Sequence, residues 1–202
     1  MEQQSARLGR PRSERARAAV LHAADDLLVE VGYAAMTVKG IADRAGVGRQ
    51  TVYRWWSTKA EILLEASADD ARQELAVEPT GDLVAELAAY LDALTVFLTR
   101  SHAGAAYRAL IGEAQHDPAV AALLADHDVI GDSARAILSR ALGADTCRRT
   151  LDQATASLIG PVFFWHFTGR DPALLDTAAL AETCGRQLAR RSGTPGGGGS
   201  AD

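Results

Sequence analysis

The chain has 202 residues, 48% of them hydrophobic, and a formal net charge of −5, a length that accommodates a small domain beside a larger one. Two cysteines, Cys147 and Cys184, are too few and too far apart for a disulfide framework or a cysteine metal site. The longest uncharged run, 153–169, contains Gln, Ser, Thr, His and Pro and falls short of the roughly 20 apolar residues of a membrane span; with a polar, cationic N-terminus in place of an apolar signal core, the expectation is a cytoplasmic protein with no membrane partner.

Residues 1–12 read as a basic, flexible arm, in which Arg7, Arg10 and Arg12, continued by Arg15 and Arg17, surround Gly9 and Pro11. Such a segment suits phosphates or a minor groove. Over 13–31 the apolar stripe Val20, Leu21, Ala24, Leu27, Leu28 and Val31 predicts a first helix ended by Gly32. Thr37 is a good N-cap for a helix of about two turns whose Val38, Ile41, Ala42 and Ala45 share one face. Gly46 supplies the positive φ of a reversal, and Gly48 caps a further helix running from Arg49 to about Trp56. Val47, Val52 and Trp56 then point inward. Arg49, Gln50, Thr51, Tyr53 and Arg54 point outward, and these side-chain types read base edges or hold phosphates in a major groove.

Two short helices across a glycine turn form the pattern of a helix-turn-helix, and charge supports it. Residues 1–60 carry 10 Lys and Arg against 6 Asp and Glu, whereas 61–202 carry 11 against 20. An acidic chain has kept its positive charge at one end. Helices follow at 58–77, 82–100, 103–115, 118–142 with a weak point near Gly131, 147–168 and 173–191, with Pro79, Thr80 and Gly81 marking a boundary. No strand pattern competes. The Gly-rich stretch 193–202 is a flexible tail with nothing to bury. The expected fold is therefore all-α: an arm at 1–12, a three-helix domain with the helix-turn-helix at 13–60, a larger helical regulatory domain at 61–192, and the tail.

From about Gly9 to Glu65 the chain resembles the DNA-binding domain of the TetR family of bacterial transcriptional regulators. The resemblance is carried by Gly-Arg-Pro-Arg at 9–12, Ala-Ala-Asp-Asp-Leu-Leu-Val-Glu-Val-Gly-Tyr at 23–33, Met-Thr-Val-Lys-Gly-Ile-Ala-Asp-Arg-Ala-Gly-Val at 36–47 and Thr-Val-Tyr-Arg-Trp-Trp-Ser-Thr-Lys-Ala-Glu-Ile-Leu at 51–63. It implies phosphate contacts from Thr37, Thr51, Tyr53 and Lys59, base or mixed contacts from Gly48, Arg49, Gln50 and Trp55, and an interior place for Trp56. Gly48 stands where the family often has serine, and Trp55 where it often has histidine or arginine.

The resemblance further implies a repressor that binds a palindromic operator in double-stranded DNA as a homodimer, released by a small-molecule effector. Dimerisation is expected through the last two helices, where Leu151, Ala154, Ser157, Leu158, Pro161, Val162 and Trp165 lie at helical spacings, as do Leu180, Thr183, Cys184, Gln187 and Leu188. A dimer holds two recognition helices about one helical turn apart. The resemblance implies an effector pocket among the central helices, for which the candidates are Tyr90, Leu94, Phe97, Tyr107, Leu110, Ile111, Phe163, Phe164 and Phe167, with Gln115, His116 or His166 orienting a mostly apolar ligand. Plain core packing is the alternative for each of them.

Two other classes stay open: a helical small-molecule-binding protein without regulatory DNA binding, and a metal-dependent enzyme. For the second, only His116-Asp117 and Asp126-His127-Asp128 resemble ligand or acid/base sets. No nucleophile motif, third partner or phosphate-cradling glycine loop accompanies them, so no catalytic residue, metal or cofactor is expected.

Overall fold

The computed structural model describes residues 6–143 and 146–192, and every regular element in them is helical. In chain order these are α1 (Ala6–Ala35), α2 (Val38–Arg44), α3 (Arg49–Tyr53), α4 (Lys59–Glu74), α5 (Leu83–Arg100), α6 (His102–Ala114), α7 (Pro118–Asp126), α8 (Val129–Leu142), α9 (Arg148–Phe167), a 3-10 turn (Pro172–Leu174) and α10 (Thr177–Ser192). Of the two segments expected to be flexible, 1–5 and 193–202 lie outside the described residues. The backbone of 6–12, expected in the extended arm, is instead the opening of α1: Ala6, Arg7, Leu8 and Arg10 are strong helix formers and carry the helix past one Gly and one Pro.

The expected helix over 118–142 is two helices, and the break falls at His127 and Asp128 rather than at Gly131. Asp128 leaves helical geometry and accepts the Gly131 N–H at 3.0 Å on Oδ1, while Arg135 donates to Oδ2 at 2.9 Å. A short acid that bonds local backbone in this way competes with helix continuation. Gly131 lies inside α8 because a Cβ there would sit 2.0 Å from the Asp128 carboxylate.

The described residues divide into two compact units, one of 6–70 with 101–127 and one of 71–100 with 128–143 and 146–192. In the first, α1 packs on α2 and α2 on α3, around Val20, Ala23, Ala24, Met36, Ile41, Ala42, Val52, Trp56 and Ile62. A second cluster of the same unit joins Ala60, Leu63 and Leu64 of α4 to Ala106 and Leu110 of α6 and Val120 and Leu124 of α7. In the other unit α5 is central, packed against α8, α9 and α10. Its Leu87, Tyr90, Leu91, Leu94, Phe97 and Leu98 are buried.

One buried charge organises that second unit. Glu86, on α5, is 5% exposed; it accepts the Thr80 and Gly81 N–H groups at 2.7 and 2.9 Å and an Arg140 guanidinium at 2.7 Å. Arg140 first, then the two amides, hold its carboxyl down to about 2 from an ordinary value of 4.5. Because the folded-state value is depressed, the stabilisation is complete above pH 4.5 and is lost as pH falls toward 2. Urea unfolding between pH 6 and 2.5 is expected to show this loss, and Glu86→Gln is expected to flatten it; an unchanged slope in the variant would contradict the assignment.

Candidate DNA-binding surface

The helix-turn-helix is built from local chemistry. Thr37 is extended (φ −135°, ψ 150°) and its Oγ1 accepts the Gly40 N–H at 3.0 Å, the expected N-cap of α2. At the other end Gly46 has φ +66°, its N–H reaches Asp43 O at 3.3 Å and the Val47 N–H reaches Ala42 O at 3.1 Å. This pair of bonds satisfies carbonyls that the helix end leaves open and needs the left-handed residue that glycine supplies. A Cβ at 46 meets nothing within 4 Å, so Gly46→Ala isolates backbone strain. It is expected to lower stability by about 1 kcal/mol, read as a shift in urea midpoint at unchanged m-value; a shift below about 0.3 kcal/mol would contradict it.

Gly48 caps α3 with extended backbone and no side-chain bond. The helix is shorter than expected, ending at Tyr53 instead of about Trp56. Thr58 explains the early stop: its Oγ1 accepts the Glu61 N–H at 3.2 Å while Glu61 Oε2 accepts the Ser57 N–H at 2.7 Å, a reciprocal cap that fixes where α4 begins. Trp56, 3% exposed, still turns inward beside the fully buried Val52. Its Nε1 donates to Glu65 Oε2 at 3.0 Å, and Arg17 pairs with the same carboxylate at 2.7 Å.

What this scaffold presents to solvent is Thr37, Gly48, Arg49, Gln50, Tyr53 and Arg54, with Thr51 and Trp55 half-buried. No carboxylate occurs from Ala45 to Ala60, and the other charges nearby are neutralised in pairs: Lys39 donates to Asp43 at 2.6 Å, and Arg44 forks onto Glu30, whose carboxyl this hydrogen bond lowers. The face of α3 is therefore cationic and polar. Lys59 also makes structural contacts. Its ammonium donates to Tyr33 O at 2.7 Å and Met36 O at 3.1 Å and lies 4.1 Å from the Tyr33 ring centroid. It closes the carbonyl end of α1, where Gly32 (φ +73°) interrupts the helix as its sequence position suggested, and one donor is left over. Burial, helped by Glu113 and Asp117, pushes the Tyr33 phenol up to about 12.

The side chains proposed for an effector pocket are distributed over both units. Tyr90, Leu94 and Phe97 are fully buried core of one unit, the Tyr90 hydroxyl donating to Ile130 O at 2.7 Å. Leu110 is core of the other unit, with Tyr107 and Ile111 packed against it. Phe163 is half-buried, and Phe164 and Phe167 are 57% and 47% exposed. A pocket of about 10 Å³ beside His166 and Trp165 holds one water at most. A groove of about 460 Å³ in the first unit runs past Tyr33 and Lys59 and carries Glu61, Glu113, Asp117 and Asp126, an acidic lining that the sequence reading missed.

Of the residues expected at a dimer interface, Ala154, Leu158 and Val162 of α9 and Cys184 and Leu188 of α10 are less than 9% exposed in the single chain, and Leu151, Trp165 and Leu180 are half-buried. Buried atoms have little area to give a partner. The outward side of α9 is instead Ala156, Ser157, Phe164 and Phe167, and that of α10 Ala179, Thr183, Arg186 and Gln187.

The acid-histidine pairs are accounted for by helix ends. Asp117 caps α7 by accepting the Ala119 N–H at 2.8 Å, Asp128 caps α8, and the His127 ring lies 3.0 Å from Leu123 O. Among the described residues no three His, Cys, Asp or Glu are grouped to hold a metal ion, and no helix is long and apolar enough to cross a membrane.

Residues 20–66 match the family model of the bacterial regulatory proteins of the tetR family, and residues 77–184, more than half of the chain, match the tetracyclin repressor-like C-terminal domain. The chain belongs to the TetR family. It is 42% identical over 113 residues to the uncharacterized HTH-type transcriptional regulator YdeS of Bacillus subtilis (strain 168), a match spanning 56% of this chain and 57% of that protein. The match thus covers little more than half the length of that curated relative. Among solved structures, the TetR family transcription regulator SCO0332 is 27% identical with a TM-score of 0.64, covering 89% of this chain and 99% of that one. The multidrug binding protein EbrR, solved with imidazole, shares the fold at 21% identity and a TM-score of 0.58, over 84% of this chain and 93% of its own. YdeS and SCO0332 are named as regulators, not enzymes.

Proposed function

We propose that the protein is a ligand-responsive transcriptional repressor that binds a palindromic operator as a homodimer, in the cytoplasm. The observation that carries the DNA-binding part is the exposed face of α3: Arg49, Gln50 and Tyr53 stand on a five-residue helix, with Arg54 at its C-cap, locked from beneath by Val52 and Trp56, in a stretch free of carboxylates. Arg and Gln are suited to base edges, whereas Thr37, Thr51 and Tyr53 offer hydroxyls to phosphates. The free donor of Lys59 adds a further phosphate contact beside its structural bonds.

Dimerisation is supported by Phe164 and Phe167, which expose an aromatic surface on α9 that the described residues do not cover. Small neighbours at Ala156 and Gly160 let a second helix approach this face. The effector part rests on the match of 77–184 to the family's C-terminal domain. Since the core around Tyr90, Leu94 and Phe97 is closed in this structure, the effector selects a conformer with that core opened. By linkage it weakens DNA binding by the factor by which DNA weakens its own binding.

Selection of bound duplexes from a random-sequence pool tests the reading. The expected product is a palindrome with half-sites about one helical turn apart. Recovery of an asymmetric single half-site would remove the dimeric operator, and failure to enrich any sequence would remove specific recognition. For the effector, calorimetric titration of a varied hydrophobic library with no heat and no change in DNA affinity would remove that part.

A further inference from the structure

We propose that Trp55 is a positioning residue that holds the Arg54 guanidinium as a preset phosphate clamp at the C-terminal end of α3, and does not itself read a base. This deepens the DNA-binding reading and rests on it. Arg54 Cζ stands 4.8 Å from the centroid of the Trp55 ring. That ring is half-buried and lies edge-on to Trp56, with centroids 5.4 Å apart and planes at 72°. Trp56 is in turn fixed in the core and hydrogen-bonded to Glu65, which Arg17 pairs. A continuous chain of contacts thus runs from the Arg17–Glu65 ion pair through the buried Trp56 to a surface cation. No carboxylate among the described residues pairs with Arg54, so its charge is uncompensated and its fork is open to solvent.

The location decides the ligand. Recognition helices direct their N-terminal residues at base edges, and Arg54 is the C-cap of α3, beyond that end. A guanidinium held over an aromatic ring keeps N–H groups for two oxygens of one anion, the geometry a phosphate offers. At position 55, where the family often has a cationic or imidazole side chain, this chain carries a neutral indole. The charge is supplied one residue earlier, and the indole orients it.

The test uses the full chain, a duplex selected from a random pool and an unselected random duplex of about 30 base pairs, with affinities measured across salt concentrations. Arg54→Gln is expected to weaken both duplexes by about the same factor, roughly tenfold near 0.1 M salt, and to lower the slope of log affinity against log salt by about 0.9. Trp55→Leu is expected to weaken binding roughly threefold while Trp55→Phe, which keeps a ring face, stays within about twofold of wild type. In the Arg54→Gln background Trp55→Leu is expected to add nothing. Circular dichroism establishes that each variant is folded, and Arg54→Gln, at an exposed position, carries the test should Trp55→Leu unfold.

An unchanged salt slope in Arg54→Gln would overturn the clamp, as would relaxed specificity at one base pair, or an undiminished effect of Trp55→Leu once Arg54 is replaced. In those cases Arg49→Ala still impairs recognition of the selected duplex. If wild type retains neither duplex, the DNA-binding reading fails and takes the clamp with it.

Discussion

Replacing both Phe164 and Phe167 by glutamate is expected to convert the proposed dimer into a monomer at micromolar concentration and to weaken binding to a palindromic duplex by about two orders of magnitude or more. Each residue exposes about half its surface in one chain, and covering that remaining half is worth about 1 kcal/mol apiece. On a two-fold interface every residue counts twice. Substitution by carboxylates removes that gain and confronts like charges across the axis, although Arg170, 4.4 Å from the Phe164 ring centroid, offers partial relief. The loss on DNA follows because the second half-site is bound at the effective concentration set by the first, an advantage of roughly 10²–10⁴. Sedimentation velocity and mobility shifts measure the two effects. A variant that remains dimeric would move the interface elsewhere.

The second large effect lies under the recognition helix. Trp56→Ala is expected to cost about 3–5 kcal/mol, which for a unit of about 100 residues lowers Tm by at least about 12 °C. The indole is 3% exposed, touches the cluster that joins α1, α2 and α4, and satisfies Glu65 through its N–H. Trp56→Phe keeps much of the area and removes only the donor, so it is expected to cost about 1–3 kcal/mol. Differential scanning calorimetry separates the two variants. A loss below about 1 kcal/mol for Trp56→Ala would mean that the aromatic is not what holds α3 in place.

The parts of this molecule that were legible in its sequence are those whose causes are local. Thr37 caps α2 through an amide three residues away, Gly46 takes positive φ because the next turn demands it, and Val52 and Trp56 face inward because helix geometry puts them four residues apart. Periodicity is blind to which body covers an apolar stripe. Leu158, Val162 and Leu188 read as contact residues for a second chain or as core, and in the single chain they are already buried. The outward side of α9 is marked by Phe164 and Phe167 among small residues, a fainter signal in sequence.

The same limit applied to the pocket. Tyr90 and Leu110 both read as central and apolar, but contacts assign them to different compact units, and pairings distant in sequence leave no periodic trace. The break between α7 and α8 depends on Asp128 choosing the Gly131 amide over helix continuation. Lys59 read as a phosphate ligand because its place in the motif allows it. Only coordinates reveal the carbonyls of Tyr33 and Met36 waiting for it.

The most direct test of the central claim, that the exposed face of α3 reads a duplex, is the affinity of wild type and of the Arg49→Ala, Gln50→Ala double variant for the selected duplex, both shown folded by circular dichroism. The prediction is tight, salt-sensitive binding by wild type and a loss of roughly a hundredfold or more in the variant, which falls to the level of random DNA. Equal affinities for the two proteins, or a wild type that retains no duplex at low ionic strength, would contradict it.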